Sequence, residues 1–207
     1  MKGTVLTVAA GAALPVALQG ATVVELAPGE HAGSLFVESS IEVRGPGATL
    51  NAGGRGSVAH IVDDGLTVKV SGLTLRGGNA QLGAGVFVEG ASQVVLHDVV
   101  IQGGTSPGGG NAIGAIRGEL TLERCRIEGE ALFTGISRVT LKDTVVTADL
   151  LVREGAQVVL IGGAVEGSLD IRGTTTRAPT VTVQGTTVHE VHNNPDLPGT
   201  LTTLKTP

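Results

Sequence analysis

The stretch that decides the fold is Val68-Lys69-Val70-Ser71-Gly72-Leu73-Thr74-Leu75. Apolar and polar residues alternate in its first half, the chain turns at Ser71 and Gly72, and the alternation then resumes. Period-two alternation is typical of a β-strand. The same phrase returns at 94–101, 120–127, 139–146, 158–165 and 181–188. A phrase that recurs in this way predicts a stacked repeat, in which each copy packs on the copy before it.

A second, shorter strand lies between successive copies of the phrase. We place its copies at 35–38, 59–62, 86–89, 114–117, 131–134, 150–153 and 169–172. One coil is then this strand followed by the two halves of the phrase, which gives three strands per coil. The early coils, such as Val68 to Val94, are longer than the later ones, such as Leu120 to Val139. Their extra residues fall at 77–85 and 103–114, and we interpret the second of these as a mobile insert.

The sequence predicts an all-β solenoid of about seven to eight coils over residues 24–192. Residues 1–23 are predicted to be an N-terminal cap that contains a short helix at 12–19, with Pro15 in its first turn and Gly20 ending it. The alternative for residues 1–21 is a signal peptide, although a single Lys and an interrupted apolar run are weak support for it. Residues 193–207 are expected to pack on the solenoid or cap it.

Two motifs in the first coils carry a resemblance to a known group of proteins. Leu26-Ala27-Pro28-Gly29 is followed by Val43-Arg44-Gly45-Pro46-Gly47-Ala48-Thr49-Leu50. These motifs resemble the right-handed parallel β-helix proteins of the pectin-lyase-like superfamily, over roughly residues 3–190. The resemblance implies a fold and leaves activity open, since the group includes lyases, hydrolases, epimerases, adhesins and inert scaffolds. The later, shorter coils are similar in length and composition to the bactofilin cytoskeletal proteins.

The composition disfavours several classes of function. The net charge is −5 with 14 Lys plus Arg, and the chain has no Trp, no Tyr and 3 Phe. We therefore expect no nucleic-acid partner, because basic patches and aromatic stacking platforms are lacking. A carbohydrate ligand is possible but disfavoured on the same ground. Cys125 is the single cysteine, so no internal disulfide can form. No segment is apolar enough to span a bilayer, no cofactor motif is present, and the cytoplasm is favoured over secretion.

The stacked copies predict which residues lie above one another. Three columns should face inward: Val68, Val94, Leu120, Val139, Val158 and Val181; Val70, Leu96, Leu122, Leu141, Leu160 and Val183; and Leu75, Ile101, Ile127, Val146, Val165 and Val188. Cys125 should be buried beside Val99 and Thr144. At the turn, Asp98, Arg124 and Asp143 should form a column of alternating charge that helps to fix the register of the coils.

The outward face of the first strand is the most informative surface. Its predicted outward residues are Phe36, His60, Phe87, Ala115, Leu132 and Leu151. A contiguous apolar stripe on a soluble protein is usually covered. The cover could be another subunit, a partner protein, or the chain's own tail at 193–207. This stripe predicts a non-catalytic β-helix that serves as a scaffold or binds protein.

Two other functions remain open. A carbohydrate-active lyase, hydrolase or epimerase on an acidic polysaccharide would use Asp63, Asp64, Glu89 and Arg117, with His60 nearby. A filament-forming cytoskeletal element would stack coils end to end. We predict no metal site, because His189 and His192 point to opposite faces of a strand and so do not share a ligand set with Asp196.

Overall fold

The computed structural model describes residues 4–14, 18 and 20–204. Within these residues the chain is an all-β parallel solenoid of about nine turns, with no helix. The fold follows from the phrase: each copy alternates inward aliphatic and outward polar residues, and only stacking against the next copy buries the inward set. No helix in the described part of the chain is long and apolar enough to cross a membrane.

The strands form three parallel ladders around a common core. Ladder B contains the first halves of the phrase: β1 (Thr4–Val8), β2 (Ala21–Leu26), β5 (Ile41–Asn51), β7 (Thr67–Arg76), β9 (Gln93–His97), β12 (Glu119–Glu123), β15 (Arg138–Lys142), β18 (Gln157–Ile161), β20 (Thr180–Gln184) and β22 (Thr200–Leu204). Ladder C contains β3 (Gly29–Ala32), the second halves of β5 and β7, β10 (Val100–Gln102), β13 (Arg126–Glu128), β16 (Val145–Val146), and the first residues of β19 (Ala164–Arg172) and β21 (Thr187–Asn193). Ladder A contains β4 (Leu35–Val37), β6 (Ala59–Ile61), β8 (Val86–Val88), β11 (Ile113–Ala115), β14 (Ala131–Phe133), β17 (Leu150–Arg153), and the last residues of β19 and β21.

The core is a set of continuous aliphatic columns, as predicted. Leu96 pairs with Leu122, which pairs with Leu141, and this column runs on through Leu160 to Val183. Nearly all members of the three predicted columns are buried; the exception is Val188, which is half-buried on the last coil. Burying one such side chain stabilises the fold by about 1.5–3 kcal/mol, so each added coil contributes several of these gains.

The turn between ladders B and C has the same backbone conformation in successive coils. Its residues have positive φ angles: Gly72 (72°), Asp98 (53°), Arg124 (51°), Asp143 (49°), Gly162 (65°) and Gly185 (65°). Only Gly adopts this left-handed region without steric cost, and Asp tolerates it better than Arg does. The turn therefore imposes some backbone strain at Arg124. The same bend recurs in the other coils and keeps their strands in register.

The N-terminal segment differs from the prediction. The predicted helix at 12–19 is wrong for the residues that the structure describes, and Pro15–Ala17 and Gln19 lie outside them. Thr4–Val8 is instead a strand that pairs in parallel with β2. The backbone N–H of Leu14 donates to Ala32 at the end of β3 (2.8 Å), and Leu14 is buried. The parallel ladder thus begins ahead of residue 24.

The C-terminal segment also continues the solenoid. Thr200–Leu204 pairs in parallel with β20 and forms the last strand of ladder B. With β1 at one end and β22 at the other, the solenoid has about nine turns rather than the seven to eight predicted. The described part of the segment after residue 193 therefore lies at the C-terminal end of the coil stack.

The two glycine-rich inserts stack on each other through backbone hydrogen bonds. Ala80 N–H donates to Thr105 O (3.0 Å), and Gly108 N–H donates to Gln81 O (2.9 Å). Asn79 and Thr105 form an isolated parallel bridge. These hydrogen bonds satisfy backbone groups of the insert at 103–114 and so argue against the prediction that it is mobile.

Candidate interaction face

The outward face of ladder A differs from the predicted stripe at one position. Phe36 pairs with His60, His60 with Phe87, and Phe87 with Gly114. Ala115 points inward and is buried. Its assignment to the outward stripe is a correction of one residue: β11 spans Ile113–Ala115 rather than beginning at Gly114. The outward column is therefore Phe36, His60, Phe87, Gly114, Leu132, Leu151, Asp170 and His192.

Three rings stack at the N-terminal half of this face. The Phe36 and His60 ring centroids are 5.5 Å apart with the planes at 83°, and those of His60 and Phe87 are 5.0 Å apart at 30°. Edge-to-face and tilted contacts at these distances are favourable aromatic geometries. His60 Nε2 also lies 3.3 Å from Glu89 Oε2. Phe36 ends the stack and is 49 % exposed, so one ring stays open to a ligand.

The chain itself partly covers the middle of the face. Gly83, in the first insert, packs so closely on the strand that a methyl group in its place would lie 2.9 Å from Phe87 Cβ. Gly110, in the second insert, packs on Leu132 in the same way, with a corresponding distance of 3.1 Å. Glu130 Oε1 accepts a hydrogen bond from Gly110 N–H (2.6 Å) and holds that insert in place. The predicted stripe is therefore divided into an N-terminal and a C-terminal part.

The C-terminal part is a shallow groove with an apolar floor. Leu132 and Leu151 form the floor of a space of about 430 Å³. On one side Arg153 Nη2 donates to Asp170 Oδ2 (2.9 Å), and its Nη1 donates to Asp170 O (2.7 Å). Arg172 approaches the same carboxylate at 3.3 Å. This arrangement neutralises most of the local charge and leaves Arg172 as the exposed cation.

The structure places the residues of the carbohydrate-active alternative in neighbouring turns. Several of them form hydrogen bonds within the solenoid. Asp64 Oδ1 accepts the Ala91 N–H (2.6 Å), which ties one turn to the next. Arg117 Nε donates to the backbone carbonyl of Glu89 (3.0 Å). Asp63 accepts from Ser92 through its backbone carbonyl (2.7 Å). Among these five residues only His60 and Glu89 pair through their side chains, with Nε2 and Oε2 3.3 Å apart.

The predicted charge column is an exposed network of ion pairs. Arg124 binds Asp98 through Nε at 2.9 Å, and its Nη2 also contacts His97 Nε2. The Arg124 hydrogen bond lowers the pKa of Asp98 below its ordinary value and outweighs the slight desolvation. In the neighbouring column Lys142 Nζ lies 2.8 Å from Glu123 Oε1, and this bond lowers the pKa of Glu123 in the same way. These are favourable surface contacts between stacked coils.

Two further residues were not singled out by the sequence, and one finding concerns metal binding. His31 is fully buried, and each ring nitrogen faces a backbone carbonyl, Ala12 O at 3.0 Å and Ala27 O at 2.7 Å. Ile136 is the most exposed large apolar side chain, at 59 %. No group of three or more His, Cys, Asp or Glu side chains in the described ranges is arranged to hold a metal ion. The alternating pattern of the sequence does not signal Ile136, which lies outside the recurring phrase, whereas His31 occupies the inward column of Leu50 and Leu75.

No protein-family model, no curated protein and no solved structure matches this chain.

Proposed function

We propose that the protein is a non-catalytic β-helical binding module that holds a partner protein through the Phe36–His60–Phe87 stack. The observation that carries the proposal is Phe36 itself. It is a half-exposed aromatic ring on a rigid strand, oriented by a second ring and not covered by the described residues of the chain. Aromatic anchors on rigid elements dominate the energetics of protein interfaces. Such a ring has no evident structural task on this side of the ladder.

The surroundings of the stack indicate the chemistry of the partner. Glu89 lies beside His60, and Glu38 lies two residues after Phe36 in the chain; both carboxylates are exposed. An apolar side chain with an adjacent Lys or Arg would meet the open ring and these carboxylates at the same time. We therefore assign to this face a protein partner with a basic, apolar anchor. An anionic polysaccharide is a poor match, because like charges would oppose each other.

Capture experiments with matched variants test the proposal. Immobilised wild type and Phe36→Asp are incubated with a lysate of the source cells, and any protein that Phe36→Asp fails to retain is purified and titrated against both. The expected result is at least a tenfold weaker affinity for Phe36→Asp. Ile136→Asp, the same kind of change at another exposed apolar residue, should bind as well as the wild type.

Two results would contradict this function. One is equal affinity of the wild type and Phe36→Asp for every captured protein. The other is cleavage of a polyuronate by the wild type, with or without calcium, together with loss of that cleavage in Glu89→Gln. The second result would support the carbohydrate-active alternative, whose proposed residues are Asp63, Asp64, Glu89, Arg117 and His60.

We also propose that the chain shares the fold of the right-handed parallel β-helix proteins of the pectin-lyase-like superfamily. The motifs at 26–29 and 43–50 support this assignment, since they form the first bends of the solenoid, where Gly29 and Gly47 have positive φ angles. This second proposal concerns the fold and not the activity, because the motifs that carry the resemblance include no active-site residues.

The ends of ladder B favour a second candidate, a filament built by stacking copies end to end. The strands β1 and β22 end the same ladder and run in the same direction, and each has one edge that is unpaired within the described residues. Val5 and Leu204 lie on these strands and are exposed. Electron microscopy of concentrated protein tests this candidate: the wild type should form filaments, and Thr203→Pro should not, because proline removes a backbone donor from the free edge of the terminal strand. Single particles at all concentrations would exclude it.

A further inference from the structure

We infer that two copies of this chain associate side by side through the turns that join ladder A to ladder B, with their solenoid axes antiparallel. The surface is the A–B edge, which we define as the turns at 38–40, 62–66, 89–92, 116–118, 134–137, 154–156 and 173–179 with the adjoining strand ends. It shares the carboxylates of Glu38 and Glu89 with the surroundings of the Phe36 stack but does not include the stack itself, and it does not depend on the function proposed for that face.

Charge is segregated along this edge. The first three turns carry four exposed carboxylates and no base: Glu38, Asp63, Asp64 and Glu89. The later turns and strand ends carry five arginines: Arg117, Arg138, Arg153, Arg172 and Arg177. Glu119, Glu154 and Asp170 offset three of these positive charges, which leaves this half of the edge positive. A surface that is acidic at one end and basic at the other is complementary to a copy of itself turned end for end.

An apolar contact lies at the middle of the same edge. Ile136 projects from the turn after β14 and is 59 % exposed. It borders a hollow of about 280 Å³ that is also lined by Ala91, Ser92, Gln93 and Gly118 and by the ion pair of Glu119 and Arg138. An exposed branched side chain surrounded by polar groups is the kind of contact that anchors an interface at its centre.

The segregated charge and the apolar contact at Ile136 are consistent with a single two-fold symmetry axis, because the turns are evenly spaced along the edge. Ladder A has seven rungs from β4 to β19, and β11 is the fourth. A two-fold axis through the β11 turn, perpendicular to the solenoid axis, places the β4 turn opposite the partner copy's β19 end. Glu38 then faces Arg172 and Arg177 of the second copy. The turn after β14 falls opposite the turn after β8, so Ile136 of each copy meets Ala91 of the other.

A two-fold arrangement of this kind is isologous, which is the commonest way in which identical chains associate. Six steps of about 4.8 Å give the edge a length of about 29 Å, enough for a contact of modest area. We therefore expect a dimer that is stabilised by a central apolar contact and two symmetric sets of charge pairs, and that weakens when salt screens those charges.

Sedimentation velocity and light scattering of the full chain test the inference. The wild type should sediment as a dimer of the 20.7 kDa chain at micromolar concentration. Ile136→Asp should raise the dimer dissociation constant at least about tenfold, because it places a charge in the central contact. Phe36→Asp is the matched control and should leave the dimer unchanged. Thermal unfolding of each variant checks that the solenoid is intact.

Charge reversal gives the sharper result. Glu38→Arg with Asp63→Arg makes both ends of the edge basic, and Arg172→Glu with Arg177→Glu makes both ends acidic. Each double variant alone should be largely monomeric, and an equimolar mixture of the two should form a heterodimer. A wild type that stays monomeric at about 100 µM, or double variants that each dimerise as well as the wild type, would overturn the inference. A dimer that Phe36→Asp disrupts and Ile136→Asp does not would overturn it as well, and would assign self-association to the Phe36 face.

Discussion

Arg124 holds the carboxylate of Asp98, its neighbour on the adjacent coil, through two hydrogen bonds. The Nε–Oδ1 distance is 2.9 Å and the Nη2–Oδ2 distance is 3.1 Å. Both residues occupy the left-handed turn position, with φ angles of 51° and 53°. The bidentate geometry requires the two coils to be in this register, because a shift by one residue would move the guanidinium to the other side of the strand. The contact therefore contributes to specifying the stack as well as to stabilising it.

The pH dependence of this pair can be predicted from the sign of its pKa shift. The hydrogen bond from Arg124 lowers the pKa of Asp98 below 3.8, so the folded state binds its proton less readily than the unfolded chain does. The stabilisation is present above the unfolded pKa and is lost as pH falls through the folded pKa. Asp98→Asn keeps the shape and the tolerance for a left-handed backbone. Urea unfolding should show a small loss of stability for Asp98→Asn at pH 7, and the loss should shrink as the pH is lowered below 3.8. A difference that does not change with pH would mean that shape rather than charge matters here.

A second prediction concerns the glycine at the same turn of an earlier coil. Gly72 has a φ of 72°, and a methyl group there would lie 3.1 Å from Pro46 Cα. Gly72→Ala combines backbone strain with a clash against backbone atoms, so we expect it to lower the free energy of unfolding by about 1–3 kcal/mol. Gly53→Ala is the matched control, since Gly53 has a φ of 65° and nothing within 4 Å of the added methyl group. Urea unfolding should show a smaller loss for Gly53→Ala, and equal losses would show that crowding at Pro46 is unimportant.

The register of the recurring phrase could be predicted from the sequence, because only one pairing of neighbouring coils buries the aliphatic residues and exposes the polar ones. In Val94-Val95-Leu96 and its copies, the aliphatic residues of neighbouring coils match position by position, and a shift by one residue would bury Lys69 or Thr121. The register of β11 was not predictable in this way. Ile113-Gly114-Ala115 and Gly114-Ala115-Ile116 both consist of small or apolar residues, so the alternation does not distinguish inward from outward. The prediction was wrong there by one residue, so Ala115 was assigned to the outward column that Gly114 occupies.

The structure of the two chain ends and of the inserts could not be predicted from the sequence, for a different reason. Thr4–Val8 pairs with β2 through its backbone, yet the Ala, Gly and Pro residues after it favoured a cap in the sequence. The inserts at 77–85 and 103–112 show no alternation, and their hydrogen bonds arise only because successive coils bring them together. The candidate interaction face was predicted in outline from Phe36, His60 and Phe87. Its division by Gly83 and Gly110 depends on tertiary contacts that the sequence pattern does not contain.

The thiol of Cys125 should be unreactive in the folded protein. Burial raises its pKa to about 11, and its side chain lies in the core column beside Val99 and Thr144. At pH 8 the raised pKa alone makes the thiolate roughly a hundredfold scarcer than in an unfolded chain with an ordinary cysteine pKa near 8.5. Labelling with a disulfide reagent at pH 8 should therefore be at least that much slower for native than for denatured protein. Ile136→Cys in a Cys125→Ser background should label quickly, and rapid native labelling of Cys125 would show that the coils open locally.

His31 should be required for attachment of the first coil. Its buried ring lies between Ala12 O and Ala27 O, at 3.0 Å and 2.7 Å, and so links the segment after β1 to the bend before β3. His31→Leu fills a similar space but removes the ring N–H donor, and leaving a buried carbonyl without its hydrogen bond costs about 1–3 kcal/mol. Because each coil of a solenoid is supported mainly by its neighbours, the loss should be local. Hydrogen exchange should accelerate in Thr4–Val8 and Ala21–Leu26 and stay unchanged around Leu141. His31→Gln, whose amide still donates, should restore part of the protection. If His31→Leu exchanged as slowly as the wild type in β1, aliphatic packing by Leu6 and Leu14 alone would hold the first coil in place.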